Sequence, residues 1–187
     1  MPRADVQVYQ LKITLQEIEP VIWRRLQVKG QVRLDRLHLM IQAAMGWTNS
    51  HLHEFLVKGQ RYRDLEQMCE DIDDPDMNDE EEFRLAKLVG EGDIFEYTYD
   101  FGDCWEHEIL VEKLIEPEPG IKCPRCLEGS GACPPEDCGG PWGYEELLEA
   151  LGDPEHEDYG HYRGWVGEDF NPEMFDVDKA NKVLRRV

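Results

Sequence analysis

From Phe95 to Val111 the chain alternates so regularly that only one local structure suits it. Phe95, Tyr97, Tyr99 and Phe101 fall at every second position; after Gly102-Asp103, the residues Trp105, His107, Ile109 and Val111 do the same. A period of two puts each set on one face of a strand, and the Gly-Asp pair marks a reversal, so the segment predicts a β-hairpin with one aromatic face. That face must be covered by the rest of the chain. With 187 residues there is enough chain to do so within one domain. The expectation is a single α+β domain over 1–187, a mixed or antiparallel β-sheet with packed helices and a cysteine-rich metal-binding loop.

The covering elements are legible upstream. Tyr9, Leu11, Ile13 and Leu15 alternate with polar residues, predicting a half-buried strand. Ile22, Leu26 and Val28 predict a second, with Arg24 on the same side, so this strand is expected to be covered only in part. Leu34, Leu37, His38, Ile41, Ala44 and Met45 fall at helical spacing, and Gly46 suits the position after a helix end. His38, on that apolar face, reads as a core histidine. Leu52–Val57 reads as a strand, Phe83–Leu88 as a short helix, Tyr144–Leu151 as another, and a last helix is expected to start near Asp176 or Asp178. Two insertions interrupt this order: an acidic loop over 64–82 and a zinc loop over 117–143.

Charge limits the functions open to such a chain. The net charge is -21, but residues 1–63 carry ten Lys/Arg against five Asp/Glu, whereas 64–82 carry eleven acidic residues and no cation. Such an acidic run reads as a solvated loop. Overall acidity opposes tight nonspecific DNA binding, which needs clustered cations. No apolar run is long enough for a membrane span, and the first residues lack a signal-peptide core, so a cytoplasmic location is expected. In that compartment structural disulfides are uncommon, and cysteines are read first as metal ligands.

Cys123, Cys126, Cys133 and Cys138 form the pattern C-x2-C-x6-C-x4-C in a stretch with six prolines and six glycines between 117 and 143. Four thiolates can enclose a tetrahedral zinc ion, and a long loop of this composition needs an internal brace, so a structural four-cysteine zinc site is expected. Free thiols, or a Cys123–Cys126 redox pair, are the alternative. Cys69 and Cys104 read as ordinary residues. A second constellation is His51, His53, Asp100, Asp103 and His107, beside Trp47 and Trp105. If the strand of His53 lies beside the hairpin, these would edge a ligand pocket or a catalytic metal; otherwise the histidines and aromatic rings finish the core and the aspartates cap the turn.

Three ordered motifs carry a resemblance. Leu37-His38, Ile41-Gln42-Ala43-Ala44-Met45-Gly46-Trp47 and His51-Leu52-His53-Glu54-Phe55 make the first. Tyr99-Asp100-Phe101-Gly102 with Trp105-Glu106-His107-Glu108 makes the second. Ala132-Cys133-Pro134-Pro135-Glu136-Asp137-Cys138-Gly139-Gly140-Pro141-Trp142-Gly143-Tyr144 makes the third. From about Val8 onward the chain resembles the plasmid open-reading-frame-three-like family, insertion-element passenger-type proteins without an established role. The resemblance implies an α+β fold of one domain. Three function classes stay open. The first is a non-enzymatic binding or accessory module with a structural zinc site and a protein partner. The second is a metal-dependent hydrolase or nuclease using the His/Asp cluster. The third is a mobile-element-associated nucleic-acid accessory protein.

Overall fold

The computed structural model describes residues 7–67, 76–117, 119, 120 and 122–187. Its strands are β1 (Val8–Leu15), β2 (Trp23–Lys29), β3 (His53–Val57), β4 (Gln60–Arg63), β5 (Met77–Asp79), β6 (Ile94–Tyr99), β7 (Trp105–Ile115) and β8 (Arg125–Ser130). Its helices are α1 (Leu34–Met45), α2 (Leu85–Leu88), α3 (Gly140–Gly152), α4 (Tyr159–Val166) and α5 (Val177–Leu184). All eight strands join one sheet in the order β5-β4-β3-β6-β7-β1-β2-β8. The β4–β5 pair is parallel and the other pairs antiparallel, so the sheet is mixed and the class is α+β.

The register explains why the alternation is so clean. Residues paired across neighbouring strands share a face, and Phe55, Tyr97, His107 and Leu15 form one continuous row. The next row is Phe95, Ile109, Ile13 and Arg24, and beyond it come Val111, Leu11, Leu26 and Cys126. All twelve are buried. Each large apolar side chain removed from water here contributes roughly 1.5–3 kcal/mol before chain entropy is counted. The opposite face is polar. Arg25 bridges Glu112 and Glu128, while Gln10, Gln27 and Arg125 continue the ladder. One-sided covering of this kind suits an antiparallel sheet.

α1 turns Leu34, Leu37, His38, Ile41, Ala44 and Met45 inward and stops at Gly46, whose φ of 119° lies in the left-handed region. α5 packs against α1 and β8, and α3 packs on α4. Three sequence expectations need correction. Arg24 is fully buried, so β2 is not half-covered. The stretch 117–143 holds a strand, β8, at the sheet edge; the prolines lie outside its paired segment, and Gly129 within it pairs with Arg24. The acidic run is not wholly solvated: its described part includes β5 and Glu80, which is 2% exposed. Residues 68–75 of that run, with Cys69, lie outside the described residues. No helix among the described residues is long and apolar enough to cross a membrane.

Candidate functional site

The three motif segments meet at one end of the sheet. The loop after α1 carries Trp47 to Leu52. Trp47 Nε1 donates to Pro134 O at 3.0 Å, and Thr48 donates from both its backbone N and its hydroxyl to Glu136 Oε1, at 2.8 and 3.0 Å. The Tyr99 hydroxyl, at the end of β6, accepts from Ser50 N and donates to the Glu136 carboxylate. Gly139 N donates to Asp103 Oδ2 at 3.2 Å. Backbones also touch: a Cβ on Gly140 would stand 2.4 Å from Asp103 O, a distance only glycine allows. Segments 36 to 88 residues apart in sequence are therefore fixed to one another by hydrogen bonds and close packing.

At the centre of this junction is His51. Its Nε2 lies 3.1 Å from Asp137 Oδ1, 3.5 Å from Asp100 Oδ2 and 3.9 Å from Glu136 Oε2. The closest contact lies within ion-pair distance, yet the buried nitrogen has no hydrogen-bond partner among the described residues. Asp100 is held rigidly to face it. Its backbone adopts φ 56°, its Oδ1 accepts from Gly102 N at 2.9 Å and from Asp103 N at 3.4 Å, and its own N donates to Leu52 O. Asp100 is 7% exposed, and that leaves its second oxygen directed at the imidazole. Asp137, also at positive φ, is exposed and lines a cleft of about 600 Å3 with Cys138, His161, Tyr162, Gly164 and Trp165. Among the described residues, His51, Asp100 and Asp137 are the only set of three or more His, Cys, Asp or Glu whose ligand atoms lie within 4.8 Å of one another.

The other expected pocket residues go elsewhere. His53 pairs with Glu80 at 2.8 Å, its ring stacked on His38 at 3.4 Å. His107 is buried, with Nδ1 bonded to Tyr97 O and its ring edge-on to Trp47 at 5.3 Å. Trp47 and Trp105 pack together at 5.9 Å inside the core. Asp103 binds the third motif through Gly139. The aromatic residues therefore finish the core, and the polar edge reduces to His51 and Asp100. Glu136 and Asp137 complete it; they sit between Pro135 and Cys138, where a sequence reading is drawn to the sulfurs.

Cys123, Cys126, Cys133 and Cys138 do not bring three sulfurs within 4.8 Å of one another. The reason is β8. Cys123 and Cys126 lie at its start, Cys133 and Cys138 follow its end, and four residues of extended chain after Cys126 span roughly 13 Å. Burial pushes the Cys126 thiol up to about 11 and Cys138 up to about 12, and raises Cys133 and Cys123 as well. Cys104 is exposed.

Comparison with known proteins agrees with the motif reading. Over 181 residues the chain is 42% identical to the uncharacterized protein y4hQ of Sinorhizobium fredii (strain NBRC 101917 / NGR234), covering 95% of this chain and 90% of that one. The crystal structure of a protein of unknown function, MM3350 from Methanosarcina mazei Go1, superposes with a TM-score of 0.81 at 37% identity, over 92% of this chain and 96% of that one. The family model of the plasmid pRiA4b ORF-3-like protein matches residues 7–179, and the chain belongs to that family.

Proposed function

We propose that this chain is a divalent-metal-binding module, non-enzymatic in its basic role, with the ion held by His51 Nε2 and the Asp100 and Asp137 carboxylates. The observation that carries this reading is the spacing of the ligand atoms. Ligands about 2.1 Å from a tetrahedral ion stand roughly 3.4 Å apart, and His51 Nε2 is 3.1 and 3.5 Å from the two aspartates. Glu136, at 3.9 Å, is a neighbouring carboxylate able to orient or join the set. One imidazole with carboxylates suits zinc or manganese better than calcium, which prefers oxygen alone. Zinc therefore remains the first expectation, at this junction rather than among the cysteines.

Asp137 opens on the cleft beside α4, and that favours a second reading. An ion there would keep a coordination position facing the cleft, the arrangement a metal-dependent hydrolase needs. The two readings share the ion and differ in whether the open position turns substrate over.

The test is calorimetric titration of chelator-treated protein with zinc chloride and with manganese chloride. One ion per chain is expected, with affinity lowered at least about tenfold in Asp100→Asn and in His51→Ala. Absence of binding by either ion would overturn the proposal. So would zinc that survives both substitutions and disappears in Cys126→Ser or Cys133→Ser, which would return the ion to the cysteines.

A further inference from the structure

The chain has twice as many acidic as basic residues, 41 against 20, yet its cations are not scattered. Two adjoining concavities share Cys123 and Pro124 on their walls. The first, about 360 Å3, is bordered by Lys29, Arg33, Arg36 and Arg84. The second, about 950 Å3 between β8 and α5, is bordered by Lys122, Arg125 and Arg185. Seven of the chain's twenty Lys/Arg thus line one track, and among its described lining residues there is no Asp or Glu. Arg33 is engaged by Asp35, Arg84 by Gln31 O, Arg36 by Val187 O and Arg125 by Gln27. Lys29, Lys122 and Arg185 are exposed and form no ion pair with any described residue. In a protein whose surplus carboxylates repel cation-poor surfaces from one another, a track of this sign is a local attractor for anions.

We propose that this track is the docking groove for an acidic peptide segment of a partner protein, one that mixes apolar side chains with carboxylates. Its walls are apolar between the cations: Val32, Met40, Pro124, Leu127, Val177 and Leu184. A peptide whose apolar side chains sit on that floor brings carboxylates to Lys29, Lys122 and Arg185, with Arg36 and Arg84 at the margin. Nucleic acid fits less well. Among the described residues no Phe, Tyr or Trp lines either concavity to stack bases. A longer strand would also leave the track for a surface of net charge -21. A short peptide meets the groove alone. The inference is independent of the metal proposal, since the track shares no residue with the His51 junction.

The test is fluorescence anisotropy on the full chain with two labelled probes of equal charge, a short peptide of glutamates with leucine at every third position and an oligothymidylate. Micromolar binding of the peptide is expected at low salt, weakening as sodium chloride is added. Lys29→Glu and Arg185→Glu should each weaken it about tenfold or more. Lys12→Glu, the same charge change on β1 outside the track, should shift it far less. The proposal fails if the peptide does not bind, if the oligothymidylate binds as tightly or more tightly, or if Lys12→Glu matches the groove variants. Circular dichroism of each variant separates lost binding from lost fold.

Discussion

Glu80 and His53 share a proton inside the protein. Their side chains meet at 2.8 Å, and both residues are under 9% exposed. His53 stacks on His38, whose two ring nitrogens bond to the Tyr97 hydroxyl and to Asn49. Two imidazolium rings cannot be charged at that distance without repulsion, and burial disfavours charge on any of the three groups. Burial accordingly lowers His38 to about 3 and His53 to about 4, while burial and the nearby Asp64 raise Glu80 to about 8. His107, wholly buried, is lowered to about 4. The signs of the linkage follow. Each histidine's folded value lies below its ordinary 6.5, so its contribution is full above 6.5 and is lost as pH falls toward 4 and below. Glu80's folded value lies above its ordinary 4.5, so its contribution is full below 4.5 and is lost as pH rises to 8. Urea midpoints should therefore decline on both sides of about pH 6.5. Glu80→Gln mimics the protonated acid and should flatten the decline between pH 6.5 and 8, and steepen the acid side between pH 4.5 and 6.5, where Glu80 opposes the histidines. An unchanged alkaline slope in that variant would refute the assignment. His38 was readable as a core histidine from its helical spacing. Glu80 was not, because a carboxylate inside an acidic run looks the same whether it faces water or a histidine 27 residues away.

At the scale of elements, Arg24 ties together pieces that hydrophobic pattern alone does not join. Its guanidinium donates to Ala44 O at the end of α1, to Trp23 O on its own strand, and to Ser130 O and Gly131 O where β8 ends. The Phe175 ring covers it at 3.8 Å. Burial lowers its pKa to about 10, which still leaves it charged at neutral pH. No carboxylate is needed because four carbonyl dipoles, one at a helix C-terminus, supply the negative potential. Lysine cannot replace it: a point charge on a flexible stem does not reach carbonyls in several directions at once. Arg24→Lys and Arg24→Met should each cost about 3 kcal/mol or more by leaving buried carbonyls unpaired. Denaturant unfolding, with Arg25→Lys on the solvated face as the control, measures this. A loss under about 1 kcal/mol would mean the site relaxes around the substitution. The periodic elements β1, α1, β6 and β7 were legible because burial on one face imposes a period. β4 and β5 were not, since four and three mostly polar residues next to and at a sheet edge carry no such signal. β8 was concealed by the prolines around it and by Gly129 within it. Likewise, the sequence contains His51 and Asp100 within readable motifs, but only the fold brings Asp137 to them across 86 positions.

At the scale of the whole molecule the dominant fact is uncompensated charge. If every Lys and Arg found a carboxylate, 21 carboxylates would still have none. Surface pairs contribute little individually, whereas like charges spread over one small globule repel throughout its volume, and unfolding relieves that repulsion by moving them apart. Salt acts on the two terms in opposite directions. It weakens Arg25 with Glu112 and Lys58 with Asp93, and it also screens the general repulsion. The repulsive term is the larger because it involves all the surplus carboxylates and acts beyond contact distance. Screening shrinks from a Debye length of about 30 Å at 0.01 M to about 3 Å at 1 M, so most of that repulsion is removed while close pairs survive in part. The melting temperature should therefore rise between low salt and 0.5 M sodium chloride at pH 7.5. Sodium chloride is the right salt for this, because sulfate would strengthen apolar burial by itself. A melting temperature that falls with added sodium chloride would show that paired charges such as those of Arg25 outweigh the surplus, and that the acidic surface is already neutralised by its own cations.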